Sequence, residues 1–173
     1  MLEIQTIHDR DHMLATLAQA AAWVESEEEF KFWSGLDYQF GEPIERFHPG
    51  QPLEVYLAWV DGRAVGYAEL HGTRFEKLLA RVLCHPEYRG HSVGRLLTEH
   101  ACSRAFVEGA ILKLFCYTEN THAHLLYLNL GFSEDEIQYP ELLTRMSKLN
   151  PIIGPRNFHE NSWEKSNAHY ELK

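Results

Sequence analysis

The sequence predicts one domain of mixed α/β class, and three observations carry that prediction. Residues 55–60 and 64–70 are strand-type runs joined through Asp61-Gly62, the strongest hairpin signal in the chain. Residues 78–84 and 111–117 are apolar strand-type runs with a helical pattern between them, a βαβ-like unit. The length of 173 residues suits a single domain with a substantial core. An antiparallel hairpin ahead of a crossover unit gives a mixed sheet with helices packed against it.

Taken in order, residues 2–7 alternate apolar and polar side chains, as a half-buried strand does. Asp9 or Asp11 can cap the helix that follows, in which Met13, Leu17, Ala20, Ala21 and Val24 share one face. Ser26-Glu27-Glu28-Glu29 matches a capping box before Phe30-Lys31-Phe32-Trp33, so a second short helix is expected, with Gly35 as its stop. Residues 41–52 are rich in Pro and Gly and read as a loop. Pro86 cannot donate to a sheet ladder and ends the strand 78–84. Arg89-Gly90-His91-Ser92-Val93-Gly94 then opens a helix to about Glu108, with Leu96, Leu97, Ala101 and Ala105 on one face and Gly109 beyond its end. Residues 111–117 are almost continuously apolar, as in a strand covered on both faces. After Thr118-Glu119-Asn120-Thr121, Ala123, Leu126, Tyr127 and Leu130 recur at helical spacing before Gly131. Residues 133–149 should supply one or two last strands, 144–149 being the better candidate. Residues 1–149 form the domain. Residues 150–173, with Pro151, Gly154, Pro155 and Asn157, form an extension that could be a disordered tail, a docked segment or a dimer arm.

Composition narrows the partners. A net charge of −9 argues against nucleic acid and favours a cationic acceptor such as an amine, although acidity also serves solubility alone. No apolar run is of membrane-spanning length, and Met1-Leu2-Glu3-Ile4 does not begin a signal peptide, so no membrane partner and a cytoplasmic location are expected. Cys84, Cys102 and Cys116 lack metal-type spacing and lie in apolar segments, as buried reduced thiols do. His122 and His124 do not share a helical face, so no metal is expected.

Residues 81–95 carry the chemistry. Glycines just before a helix let the backbone approach a ligand, and the first N–H groups of a helix favour a phosphate. Arg89, His91 and Arg95 add positive or potentially positive charge. The stretch therefore reads either as a diphosphate-binding turn or as a plain strand-to-helix connection. It is not a P-loop, since no Gly-Lys-Ser/Thr follows, and it lacks the G-x-G-x-x-G spacing.

His85-Pro86-Glu87-Tyr88-Arg89-Gly90-His91-Ser92-Val93-Gly94-Arg95-Leu96-Leu97 resembles motif A of the GCN5-related N-acetyltransferase superfamily, written Gln/Arg-x-x-Gly-x-Gly/Ala. Arg89 and Gly94 match it, and Ser92 stands where the family usually has its first glycine. A serine keeps its N–H and adds a hydroxyl, but it adopts a positive φ only at a cost. Asn120-x-x-Ala123-x-x-Leu126-Tyr127-x-x-Leu130-Gly131-Phe132 resembles motif B, in the right order after motif A.

The resemblance implies a mostly antiparallel mixed sheet, splayed at the coenzyme site, with helices on both faces. It implies acetyl transfer from acetyl-CoA to a primary amine of a small molecule or a protein N-terminus, with no metal. Val82, Leu83 and Cys84 would hold the pantetheine arm by their main chain. Arg89, Gly90, His91, Ser92, Val93, Gly94 and Arg95 would hold the pyrophosphate, and Asn120 would hydrogen-bond the arm. Tyr127 would be the general acid, although a core tyrosine is its plain alternative. Two helices after the first strand usually line the acceptor pocket in this superfamily, which Trp33, Tyr38 and Phe40 would suit unless they are core. The positions that often carry a base glutamate appear as Leu78 and Phe115. Glu69 and Glu76 are substitutes, although a solvated glutamate is the commoner meaning of either. A catalytically silent acyl-CoA-binding module or sensor is the competing reading, and a homodimer is left open.

Overall fold

The computed structural model describes residues 1–34, 39–42, 52–108, 111–135 and 143–151. Local sequence rules set the first elements. Leu2–Ile7 forms strand β1 with alternating burial. Asp9 caps helix α1, Arg10–Ala21, by accepting from the His12 N–H at 2.9 Å. Ser26 caps α2, Glu27–Ser34, by accepting from the Glu29 N–H at 3.2 Å. The Glu29 carboxylate reaches back to the Glu25 N–H at 3.0 Å, a capping box displaced by one residue. Strands β2, Glu54–Val60, and β3, Arg63–Gly72, meet at Asp61 (φ 50°) and Gly62 (φ 79°). Both central turn residues are left-handed, which matches the right-handed twist of the hairpin.

Strand β4, Glu76–Cys84, begins two residues before the sequence expectation. A single 3₁₀ turn, Pro86–Tyr88, which the sequence reading did not foresee, links it to helix α3, Val93–Val107. Strand β5, Ile111–Tyr117, helix α4, Thr121–Asn129, the two-residue strand β6, Ser133–Glu134, and strand β7, Leu143–Lys148, complete the described fold. The strands form one sheet in the order β1-β2-β3-β4-β5-β7-β6, antiparallel throughout except for the parallel pair β4–β5. The mixed, mostly antiparallel sheet is as expected. The expectations for Gly35, Tyr38, Gly109, most of the loop 41–52 and residues 152–173 fall outside the described residues.

Each face of the sheet carries a core. α3 and α4 cover one, built on Tyr56, Val65, Leu97, Leu112, Leu114 and Met146. α1 and α2 cover the other, with Leu17, Trp33, Val55, Leu57 and Tyr67. Gly66 decides how closely α3 approaches. A Cβ there would lie 2.4 Å from Val93 Cγ1 and 2.9 Å from Leu97 Cδ1, so only glycine admits the start of that helix.

Candidate functional site

The site arises where β4 and β5 part. Their pairing covers only Glu76–Leu79 against Ile111–Leu114 and ends there. Beyond it, the β5-facing edge of β4 has no strand partner among the described residues. The cause is a bulge in β4. Tyr67 pairs with Leu83 and Glu69 with Ala80, so Arg81 and Val82 together oppose Ala68. Arg81 takes φ 51°, a left-handed value unusual for a non-glycine residue. The bulge bends the strand, and Val82, Leu83 and Cys84 follow with one edge unpaired.

The turn after β4 lies at one end of this gap. Arg89, Gly90, His91, Ser92 and Arg95 are solvent-exposed, while Val93 is buried at 1% exposure. Gly90 takes φ 77°, and a Cβ on it would meet nothing within 4 Å, so the approach to its backbone is open. Ser92 holds the left-handed conformation (φ 64°, ψ 11°) that a glycine would adopt freely, and its side chain makes no capping bond. It therefore accepts the cost that its residue type implied. The first N–H groups of α3 have no partner within their own helix. Of these, the Gly94 N–H turns to the Cys84 thiol. Gly94 packs tightly: a Cβ there would lie 3.4 Å from Cys84 Sγ, 3.6 Å from Leu126 Cδ2 and 4.0 Å from Val82 Cγ1. Turn, strand edge and α4 thus converge on one point.

Arg89, Arg95 and His91 of the turn have intramolecular partners. Arg89 makes a bidentate pair with Glu29 (2.6 and 3.2 Å) and lies 3.7 Å from Glu25. Burial acts to raise the Glu29 pKa, but the Glu25 N–H and the Arg89 guanidinium outweigh it and hold the carboxyl below its ordinary range. Arg95 pairs with Glu99 at 3.0 Å, and His91 Nδ1 bonds the Arg89 carbonyl at 3.0 Å.

α4 closes the other side. Asn120 caps it, Oδ1 accepting from the Ala123 N–H at 3.3 Å, which leaves the amide NH₂ to serve another acceptor. Gly131 (φ 83°) ends it in a Schellman motif: Phe132 N–H bonds the Tyr127 carbonyl at 3.1 Å and Gly131 N–H bonds the Leu128 carbonyl at 2.9 Å. The same motif brings the Phe132 ring edge-on to Tyr127, with centroids 5.8 Å apart. Tyr127 is 7% exposed, and its hydroxyl has no hydrogen-bond partner among the described residues. Burial, reinforced by the neighbouring Cys116 and Cys84, pushes its pKa up, so the phenol keeps its proton and remains a donor. Cys84 belongs to β4 and Cys116 to β5, which places Tyr127 against both strands of the gap. All three cysteines are free thiols, and burial raises Cys102 and Cys116 to about 11.

The positions read as base sites hold no titratable group: Leu78 is buried and Phe115 is exposed. Glu69, for which a solvated role was the plain expectation, has no exposed surface. Arg81 (2.8 Å), His71 (2.7 Å) and Tyr67 (2.6 Å) all bond its carboxylate. Burial acts to raise its pKa, but Arg81 and the other donors win and hold it at about 2, which makes it a poor base. Glu76 is paired with Lys113 at 2.9 Å. Trp33 is buried, while Phe40 is 52% exposed. Glu69, Arg81 and Trp33 cluster at the bulge. Tyr67, Glu69 and His71 alternate along β3 and so share a face, the one signal in the sequence that pointed to this group. Among the described residues no three His, Cys, Asp or Glu side chains group as metal ligands, and no helix is long and apolar enough to cross a membrane.

Comparison with known proteins bears on this arrangement. The sequence model of the acetyltransferase (GNAT) family matches residues 20–132. The fold is similar to that of the ribosomal-protein-S18-alanine N-acetyltransferase from Escherichia coli, with a TM-score of 0.65 at 19% identity over 92% of this chain and 99% of that one. It is also similar to an acetyltransferase from Streptococcus agalactiae (TM-score 0.62, 20% identity, 86% of this chain and 98% of that one). An acyl-CoA N-acyltransferase from Pseudomonas aeruginosa is alike to the same degree (TM-score 0.62, 20% identity, 86% and 99%).

Proposed function

The chain belongs to the acetyltransferase (GNAT) family and is an acyltransferase, and from that premise we propose that it moves an acetyl group from acetyl-CoA to a primary amine, on a small molecule or a protein N-terminus, by direct attack within a ternary complex. We take residues 1–149 as the catalytic unit. The observation that carries the reading is the parting of β4 and β5 after Leu79 and Leu114, with the glycine turn at one end and Tyr127 against both strands.

The residues present suit the co-substrate. The unpaired edge at Val82, Leu83 and Cys84 can receive a pantetheine arm as a strand receives a neighbour. Gly90, Ser92, Val93 and Arg95 offer main-chain N–H groups at a helix start to a diphosphate, while Gly94 closes the turn against Cys84. Arg89 would turn from Glu29 to a phosphate oxygen, His91 lies on the same exposed turn, and the free amide of Asn120 can bond the arm.

The chemistry follows from these roles. A neutral amine attacks the thioester carbonyl, and its nitrogen forms the new bond to carbon. Main-chain N–H groups of the β4 edge stabilise the oxyanion that results. The carbon–sulfur bond then breaks and the sulfur leaves with its electron pair. Tyr127, kept protonated by burial, gives that sulfur a proton. The amine's own proton passes to water, since Glu69 and Glu76 are tied up in ion pairs, and Tyr127 regains its proton from water before the next turnover.

The test is Tyr127→Phe, assayed by thiol release from acetyl-CoA against a panel of polyamines, amino sugars and peptides. General acid catalysis contributes about 10²–10⁴-fold, so turnover should fall by that order while acetyl-CoA affinity stays near normal. Unchanged turnover would remove Tyr127 from the mechanism.

A further inference from the structure

The bulge that opens the site is built on a residue that resists its own conformation. Arg81 has a Cβ and a long side chain, yet it takes φ 51° in the middle of a strand. Such a residue persists only where its surroundings hold it. Here both ends of Arg81 are held. Its guanidinium Nη1 donates to Glu69 Oε2 at 2.8 Å, and Glu69 is wholly buried. The other Glu69 oxygen accepts from the Tyr67 hydroxyl at 2.6 Å, and His71 Nε2 bonds Oε2 at 2.7 Å, so the carboxylate cannot turn away. On the backbone side, the Arg81 carbonyl accepts from Trp33 Nε1 at 3.2 Å. Trp33 belongs to α2 and is 5% exposed.

We propose that Glu69 and Trp33 are positioning residues of the acyl-transfer site, which together hold Arg81 in the left-handed bulge that turns the Val82–Cys84 edge of β4 toward the pantetheine arm. Glu69 is thus a fixed anion that shapes the strand, and the base role is not its own. Trp33 ties α2 to the same bulge, so the helix on the α1–α2 face and the coenzyme strand are set by one hydrogen bond. The inference rests on the proposed acetyl-CoA site.

Glycine separates this role from a plain contribution to stability, because glycine reaches a positive φ without being held. The experiment measures calorimetric binding of acetyl-CoA and of ADP, which can engage only the phosphate turn. The proteins are the wild type, Glu69→Gln, Trp33→Phe and the double variant Glu69→Gln/Arg81→Gly. Loss of one or two main-chain hydrogen bonds to the arm corresponds to about tenfold in affinity. Glu69→Gln and Trp33→Phe should each weaken acetyl-CoA by about that factor and leave ADP within about twofold. Adding Arg81→Gly to Glu69→Gln should restore most of the loss. If Glu69→Gln does not fold, Trp33→Phe with and without Arg81→Gly makes the same comparison. Equal loss for both ligands, no loss for either, or no recovery with glycine would overturn the inference. Failure of the wild-type protein to bind acetyl-CoA would overturn the functional reading, and this inference with it, before any variant is compared.

Discussion

Replacing Gly66 by alanine tests how the phosphate turn is held against the sheet. The added Cβ would lie 2.4 Å from Val93 Cγ1, 2.9 Å from Leu97 Cδ1 and 3.1 Å from Ala58 Cβ. Carbon atoms rest at about 3.5–4.0 Å, so the first turn of α3 must withdraw by about 1 Å. Overpacking of this kind costs about 1–3 kcal/mol, and the lost chain entropy of glycine returns roughly 0.5–1 kcal/mol. The net loss is about 1–2 kcal/mol, which lowers Tm by about 2–8 °C in a chain of this size. Because Val93 is the first residue of α3, the shift also moves the N–H groups after Ser92, and acetyl-CoA affinity should fall. Thermal denaturation and calorimetry on Gly66→Ala, Val93→Ala and the double variant form a cycle, in which Val93→Ala removes the clashing methyl. The two substitutions should couple by about 1 kcal/mol. Additive effects, or an unchanged Tm in Gly66→Ala, would refute the close approach.

Three further outcomes are expected. Ser92→Gly removes roughly 1–2 kcal/mol of left-handed strain against roughly 0.5–1 kcal/mol of added chain entropy, so Tm should hold or rise slightly and acetyl-CoA should bind as well or more tightly; clearly weaker binding would make the hydroxyl itself a ligand. Glu69 is held at about 2, below its usual 4.5, so its contribution is complete above pH 4.5 and is lost as pH falls toward 2; in acid titrations followed by circular dichroism, Glu69→Gln should flatten that part of the profile, and an identical profile would deny the buried ion pair. Gly131→Ala forces a Cβ into φ 83° at roughly 1–2 kcal/mol; turnover should drop with stability because the motif it ends also fixes Tyr127 and Phe132, and an unchanged Tm would show that the cap is not needed.

Much of this was legible in the sequence because local rules govern it. Asp61-Gly62 specified the hairpin, Asp9 or Asp11 and Ser26 the helix starts, and Gly131 the end of α4, each through a preference exerted within a few residues. Both motifs fell on the strand, turn and helix expected of them. What escaped depends on pairings far apart in the chain. Nothing near Arg81 announces a left-handed residue, since what holds it comes from Glu69 on β3 and Trp33 on α2. Glu69 read as a solvated side chain because one sequence cannot show that Tyr67, His71 and Arg81 enclose it. The sequence also could not show that Glu29, sixty residues earlier, pairs with Arg89. The length of the β4–β5 pairing, which sets where the gap begins, follows from the bulge and not from the composition of either strand.

The measurement that tests the account most directly is a calorimetric titration of the folded wild-type protein with acetyl-CoA, set beside dephosphorylated pantetheine. A single saturable site is expected, whose tight binding requires the diphosphate, as the turn from Arg89 to Arg95 demands. No binding of acetyl-CoA, or equal binding of pantetheine alone, would contradict it.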